Sequence, residues 1–331
     1  MGHRKKSAPR RGSLGFRPRA RKKYPVPRIK FWPEVDGAPR PLGFAGYKAG
    51  MAHMYVLEDN EDSRWYGKEV FVPITIIDTP PLTVLAIRAY EKTPEGLRSL
   101  CEVWAKDIPE DVKRRHRTAS TSKIKPEDMK KLIDRISVIR AIVSTNSRKA
   151  GIRKKKPEIF EIEIGGGTVE ERVNYALDIL GKEVNVDEVF KEGEYVDVFS
   201  ITKGKGFAGA VKRFHVKILD RKSNKTRRGV ACIGPWKPTA VMYTVPRPGQ
   251  LGYWQRMVRN LRVMKIGDNG KEEATVKGGF LRYGVVPGKY VMISGSVPGP
   301  AKRLVKIRVS ARKLGVVKPP QITGIVLASQ Q

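Results

Sequence analysis

Long apolar runs are missing from this chain of 331 residues. No stretch approaches the ~20 consecutive apolar residues of a membrane-spanning helix, so a spanning protein is not expected. Cysteine is scarce as well. Cys101 and Cys232 are too few for a disulfide framework, suit a reducing interior such as the cytoplasm, and are expected to be small core residues. The four histidines, His3, His53, His116 and His215, are scattered without metal-ligand spacing, so no metal site is expected. Carboxylates are almost absent from two long stretches: none occurs from Gly2 to Lys30, and Asp220 stands alone from Thr202 to Arg262. That scarcity excludes a general acid and base pair there. The chain also has neither a Walker sequence nor a Gly-x-Ser-x-Gly elbow, so no catalytic residue, cofactor or small-molecule substrate is expected. The start, Met1 followed by Gly-His-Arg-Lys-Lys, has no apolar run of a secretory signal, and Lys6 stands where a myristoylation motif wants Ser or Thr.

Positive charge is what the chain has in excess. Sixty-six Lys and Arg face 33 Asp and Glu, giving a formal net charge of +33, and the pI is near 10.3. Solubility requires far less, so the excess points to nucleic acid or an anionic surface. The apolar share of 40% is enough for a folded body, and the length fits one large domain with insertions or two smaller ones.

The densest cationic stretch runs from Thr202 to Arg262. Its candidate contacts to RNA are Lys203, Lys205, Lys212, Arg213, Arg221, Lys222, Arg227, Arg228, Lys237, Arg247 and Arg256. A field of one sign repels itself unless a polyanion neutralises it, whereas ordinary solvated faces mix both signs. Between the cations, Trp236, Tyr243, Tyr253 and Trp254 sit among glycines and prolines that prevent regular ladders. A loop packed into folded RNA fits these flat faces better than a hydrophobic interior does. The second basic block is the amino-terminal arm, with Arg4, Lys5, Arg10, Arg11, Arg17 and Arg19, where Pro9, Pro18, Pro25 and Pro27 deny regular structure. It is expected to be extended and ordered by a partner.

The rest reads mainly as strands bounded by Gly and Pro: Leu42 to Leu57, Glu69 to Asp78, Leu82 to Glu91, Leu97 to Ala105, Ser137 to Ser144, Glu158 to Ile164 and Tyr195 to Thr202. Pro73 favours an edge or a bulge in the second of these. Pro109-Glu110-Asp111 and Pro126-Glu127-Asp128 each read as the start of a short helix. Thr168 followed by Glu171 is a capping box for a helix that Gly181 ends, with Val173, Ala176, Leu177 and Leu180 as its apolar stripe. Acidic residues predominate from Glu158 to Asp197, which is expected to face solvent. Strands return at Phe280 to Val286, Lys289 to Ser294, Lys302 to Val309 and Ile322 to Ala328. The expected architecture is mainly β with an α/β insertion, closed by pairing early with late strands. Its divisions are a basic arm over 1–41, the first part of the body over 42–202 with an insertion near 93–190, a basic extension over 203–265, and return strands over 266–331.

Gly204-Lys205-Gly206-Phe207-Ala208-Gly209 satisfies G-x-G-x-x-G after a strand, but no carboxylate follows about twenty residues on, where a ribose would need one. A nucleotide-binding enzyme is therefore a rival with little support. A general RNA- or DNA-binding chaperone is the other rival.

The chain resembles the L3 family of large-subunit ribosomal proteins, in its archaeal and eukaryotic branch. Phe190, Asp197, Ser200, Thr202, Gly204, Lys205, Gly206, Gly209 and Arg213 stand at the spacing of the family signature without departure. The runs S-A-P-R-R-G-S-L-G-F-R-P-R, L-G-F-A-G-Y-K-A-G-M, V-A-C-I-G-P-W-K-P, R-P-G-Q-L-G-Y and G-S-V-P-G-P-A-K-R also resemble it, so the likeness covers nearly the whole chain. It implies a translation-protein-type β-barrel body with long basic RNA-binding extensions. It further implies a non-enzymatic, cytoplasmic constituent of the large ribosomal subunit that binds rRNA beside neighbouring ribosomal proteins, acts early in assembly and extends towards the peptidyl transferase centre. On this sequence the arm arginines, Lys205 and Arg213 should meet rRNA, as should Gln250 of the R-P-G-Q-L-G-Y block. Trp236 to Trp254 should form the inner tip of the extension. Lys237 replaces the histidine of eukaryotic relatives, and the short carboxy terminus favours an archaeal member.

Overall fold

The computed structural model describes residues 9–116, 125–152, 154–270, 272–312 and 318–330. Two compact units divide the chain: Pro25–Ser200 with Arg256–Gln331, and Met1–Tyr24 with Ile201–Gln255.

In chain order, β1 (Arg40–Pro41) precedes β2 (Gly43–Leu57), β3 (Glu69–Asp78), β4 (Leu82–Thr93) and β5 (Gly96–Trp104). Gly96, at φ +126°, closes the turn between β4 and β5. The expected short helices follow as α1 (Glu110–Lys113) and α2 (Pro126–Lys130), each opened by its proline and two carboxylates. After β6 (Val138–Thr145) and β7 (Ile159–Gly165) comes α3 (Val169–Asp178), where the Thr168 hydroxyl accepts from the Glu171 N–H and the Glu171 carboxylate accepts from the Thr168 N–H. β8 (Glu183–Val184) and β9 (Tyr195–Ile201) lead to β10 (Gly204–Ala208), α4 (Ala210–Phe214), β11 (Gly249–Gly252) and β12 (Gln255–Asp268). β13 (Lys289–Ser294), β14 (Leu304–Val309) and β15 (Ile322–Val326) complete the chain.

The larger unit is mainly β. Its first sheet closes on itself, because β2, β3, β13, β12, β9 and β14 are neighbours in that order and β14 pairs again with β2. Early and late strands therefore meet: Ile77 lies opposite Val291, and Ala45 opposite Lys306. A closed ring leaves no edge among those six strands, and β15 adds a strand outside it on β2. Inward positions such as Ala52, Met54 and Val56 are buried while His53 and Tyr55 between them are exposed, the period of two that a one-sided strand requires. Pro73 does not sit on an edge strand, since β3 has a neighbour on each side. Its second neighbour, β13, ends opposite Ile74; just beyond, the Pro73 carbonyl accepts from the Gly295 N–H at 2.8 Å, and the Gly295 carbonyl takes the Thr75 hydroxyl at 2.7 Å.

The second sheet runs β1, β7, β6, β4, β5, with β8 on β4. Helix α3 lies against β6 and β7 and buries Val173 and Ala176 there. The acidic stretch of this unit is solvated in part: Glu170, Glu171, Asp178, Glu183, Asp187, Glu188 and Glu192 are exposed, as expected, and the other five are not. Glu158 and Asp197 are buried, and Glu161, Glu163 and Glu194 are held by Arg88, Arg140 and Arg40 at 2.5, 3.0 and 3.1 Å. Arginines from neighbouring strands reach those carboxylates, which a one-dimensional charge count could not show.

Two further expectations change. Phe280 to Val286 is a turn with one bridge, Phe280 to Gly284, because Gly278, Gly279, Arg282 and Gly284 all take positive φ. Cys232 is exposed in an irregular loop, whereas Cys101 is buried as expected and its thiol is pushed up by desolvation.

Candidate nucleic-acid interface

The smaller unit carries 22 of the 66 basic residues and one carboxylate, Asp220. Its frame is short. β10 and β11 pair antiparallel, with Gly204 opposite Gly252 and Phe207 opposite Gln250. Gly252 has φ +72°, and a Cβ there would collide with the Lys203 carbonyl, so the hairpin closes only around glycine. At the base of the hairpin, Thr202 and Trp254 bond through N–H to carbonyl at 2.9 Å and through N–H to hydroxyl at 3.2 Å. The core cluster beneath α4 consists of Ala210, Phe214 and Val216. So little buried apolar surface offsets only part of the cost of ordering a long loop.

Arg213 is the central strut. Its Nε donates to the Gln250 carbonyl at 3.0 Å and its Nη1 to the Arg247 carbonyl at 2.9 Å, which ties α4 to the returning chain and closes the neck of the loop 215–248. Burial, and then the nearby Arg17 guanidinium, hold its pKa below the ordinary value. Gln250 is also turned inwards, donating to the Leu251 and Gly252 carbonyls. Both residues were expected at RNA; their side chains shape the surface that carries the other cations.

The arm lies along this frame. Arg10 donates to the Thr244 carbonyl at 2.8 Å, and the Lys22 N–H to the Tyr253 carbonyl at 3.1 Å. Arg17 stands over Tyr243, Arg19 over Phe214 and Arg21 over Tyr253, with ring centroids 5.2, 4.3 and 5.2 Å away. Two segments almost two hundred residues apart thus form one cationic body. Arg4 and Lys5 lie outside the described residues.

Lys203, Lys205, Lys212, Arg221, Lys222, Arg227, Arg228, Lys237 and Arg247 are exposed, as is Arg11 on the arm. Trp236 is 87% exposed, within a run from Ala231 to Tyr243 that is exposed throughout. Trp236 and Trp254 do not share a tip. Tyr253 and Trp254 are half-buried at the hairpin base, where pairing with Thr202 and Lys203 fixes them. Arg256 falls in the larger unit, at the start of β12, and desolvation lowers its pKa.

Two residues of this surface were not among the sequence candidates. Phe207 is 80% exposed on β10; its signal was its place inside G-K-G-F-A-G, where glycine neighbours offer nothing to bury it. Arg21 owes its place over Tyr253 to contact between arm and loop, for which no local pattern exists. The glycine motif itself is unlike a dinucleotide site. It lies in an antiparallel hairpin and is followed by a helix of five residues, not a βαβ crossover.

The front half of the signature has a different duty. Phe190 is buried in the core, the Ser200 hydroxyl donates to the Leu304 carbonyl at 3.2 Å, and Asp197 accepts from Arg308 and from the Asn260 N–H. These residues fix β9 in the barrel immediately before the chain leaves for the basic hairpin.

Comparison with known proteins agrees with this architecture. Residues 1–316 match the family described as Ribosomal protein L3. The large ribosomal subunit protein uL3 of Methanocaldococcus jannaschii is 49% identical over 98% of this chain and 97% of its own length. Its counterpart in Methanopyrus kandleri is 48% identical over 100% of this chain and 93% of its own, and that of Methanothermobacter thermautotrophicus 44% over 98% of each.

Proposed function

The chain belongs to the ribosomal protein L3 family, in its archaeal branch, and from that premise we propose that it is a structural, non-enzymatic constituent of the large ribosomal subunit whose smaller unit binds large-subunit rRNA. The observation that carries this reading is the pairing of extreme charge with a minimal core. Twenty-two cations on a frame with one carboxylate repel one another, and the frame lacks the buried surface to resist. Phosphates supply the missing counter-charge, and released counterions supply the affinity. Selectivity comes from shape: exposed Trp236, Tyr243 and Phe207 offer faces for unpaired bases.

The loop beyond Arg213 extends towards the peptidyl transferase centre and holds RNA segments in register there, while peptidyl transfer belongs to the RNA. The protein joins early in subunit assembly, in the cytoplasm, and its larger unit meets neighbouring ribosomal proteins. Sedimentation tests the reading. The chain should travel with large subunits and leave them only in strong salt, and a competition assay at physiological salt should favour large-subunit rRNA over unrelated RNA. Equal binding to both would replace this reading with that of a general basic chaperone.

A further inference from the structure

One face of β14 buries two basic side chains, and only one of them has a hydrogen-bonded partner. Arg308 donates to the Asp197 carboxylate and to the Phe31 carbonyl. Lys306, two residues earlier and 4% exposed, makes no hydrogen bond or ion pair with any described residue; its ammonium stands over the Phe160 ring, 4.0 Å from the centroid. It lines a cavity of about 690 Å³ walled by residues 26–30, Arg140, Phe160 and Glu161. The covering segment brings Arg28 and Lys30. Glu161, the one carboxylate among the lining residues, is shared between Arg88 at 2.5 Å and Arg140 at 3.5 Å, and Arg140 also holds Glu163 at 3.0 Å. Buried charges in folded proteins are paired, and a ring face replaces only part of the lost hydration of an ammonium.

We propose that this cavity is an anion site for an RNA phosphodiester, with Lys306 at its floor and Arg28 and Lys30 on the segment that covers it. The volume accommodates a phosphate with part of its flanking ribose. Lys30, exposed on the covering segment, is placed to meet a neighbouring phosphate of the same strand, which favours a diester within RNA over free phosphate. The site lies in the larger unit and extends the rRNA reading to a second surface.

Amine acetylation of the full chain at pH 7.5, read residue by residue by mass spectrometry, tests it. Reagent reaches the Lys306 amine through the cavity it lines, and burial lowers its pKa to about 7, so at that pH the amine is largely unprotonated in the free chain. Saturating oligouridylate should cut Lys306 labelling about tenfold or more, as expected when a bound anion restores the ammonium, and inorganic phosphate should do so only weakly. In Lys306→Met, protection of Lys30 by the same oligonucleotide should be lost. Unchanged Lys306 labelling with Lys205 protected would sink this site and leave the smaller unit's role intact, whereas the reverse pattern would sink only the latter. Protection by phosphate and not by oligouridylate overturns the diester assignment.

Discussion

Exposed cations and strut cations of the smaller unit should separate in a salt titration of rRNA binding. Lys203, Lys205 and Lys212 are exposed, whereas Arg213 holds the Gln250 and Arg247 carbonyls. Each phosphate contact contributes a slope of about −0.9 to log K against log salt, so the triple variant Lys203→Gln, Lys205→Gln, Lys212→Gln should flatten the slope by roughly 2.7. Between 50 and 200 mM salt, both chosen as conventional conditions, that difference amounts to about 40-fold in affinity. Arg213→Lys keeps the charge but loses the fork that spans two carbonyls. With roughly 1.5–3 kcal/mol for a hydrogen bond to a charged group, its affinity should fall about tenfold to a hundredfold. The slope should stay at the wild-type value. Filter binding of a large-subunit rRNA fragment across a salt series measures both quantities. The reasoning is refuted if the triple variant keeps the wild-type slope, or if Arg213→Lys changes slope and leaves affinity at fixed salt untouched.

Asp197→Ala should destabilise the larger unit by about 3–5 kcal/mol, read by urea denaturation, because it strands the buried Arg308 guanidinium. Lys306 has a folded pKa lowered to about 7 from 10.5, so the unfolded chain binds more protons between those values. Stability should therefore rise with pH from about 7 towards 10.5, and Lys306→Met should remove that component of the denaturation profile. Gly252→Ala should open the β10–β11 hairpin through its positive φ and the collision with the Lys203 carbonyl, speeding hydrogen exchange at the Tyr253 N–H while leaving the β2–β3 amides unchanged. Thr168→Ala should cost about 1 kcal/mol through the lost cap on α3, measured by thermal denaturation.

Local chemistry made much of the body legible before any coordinates. β3 and β13 occupy the expected residues, because β-branched runs bounded by Gly and Pro leave few alternatives. The capping box at Thr168 and the αL stop at Gly181 likewise depend only on nearby atoms. β12 was hidden for the opposite reason. Its sequence Q-R-M-V-R-N-L-R-V-M-K-I-G-D mixes basic with apolar residues, and it is a strand because β9 and β13 flank it and Asp59 takes the Arg262 guanidinium.

The candidate surface divides along the same line. Composition and the long motifs were enough to propose a polyanionic partner, since net charge and the lack of carboxylates need no geometry to be counted. Which arginine faces outward and which one ties the loop, that the arm and the loop form one unit, and that Lys306 lies buried beside a cavity were decided only by the fold. Those facts are contacts between residues distant in sequence, and no periodicity or propensity encodes a distance of that kind.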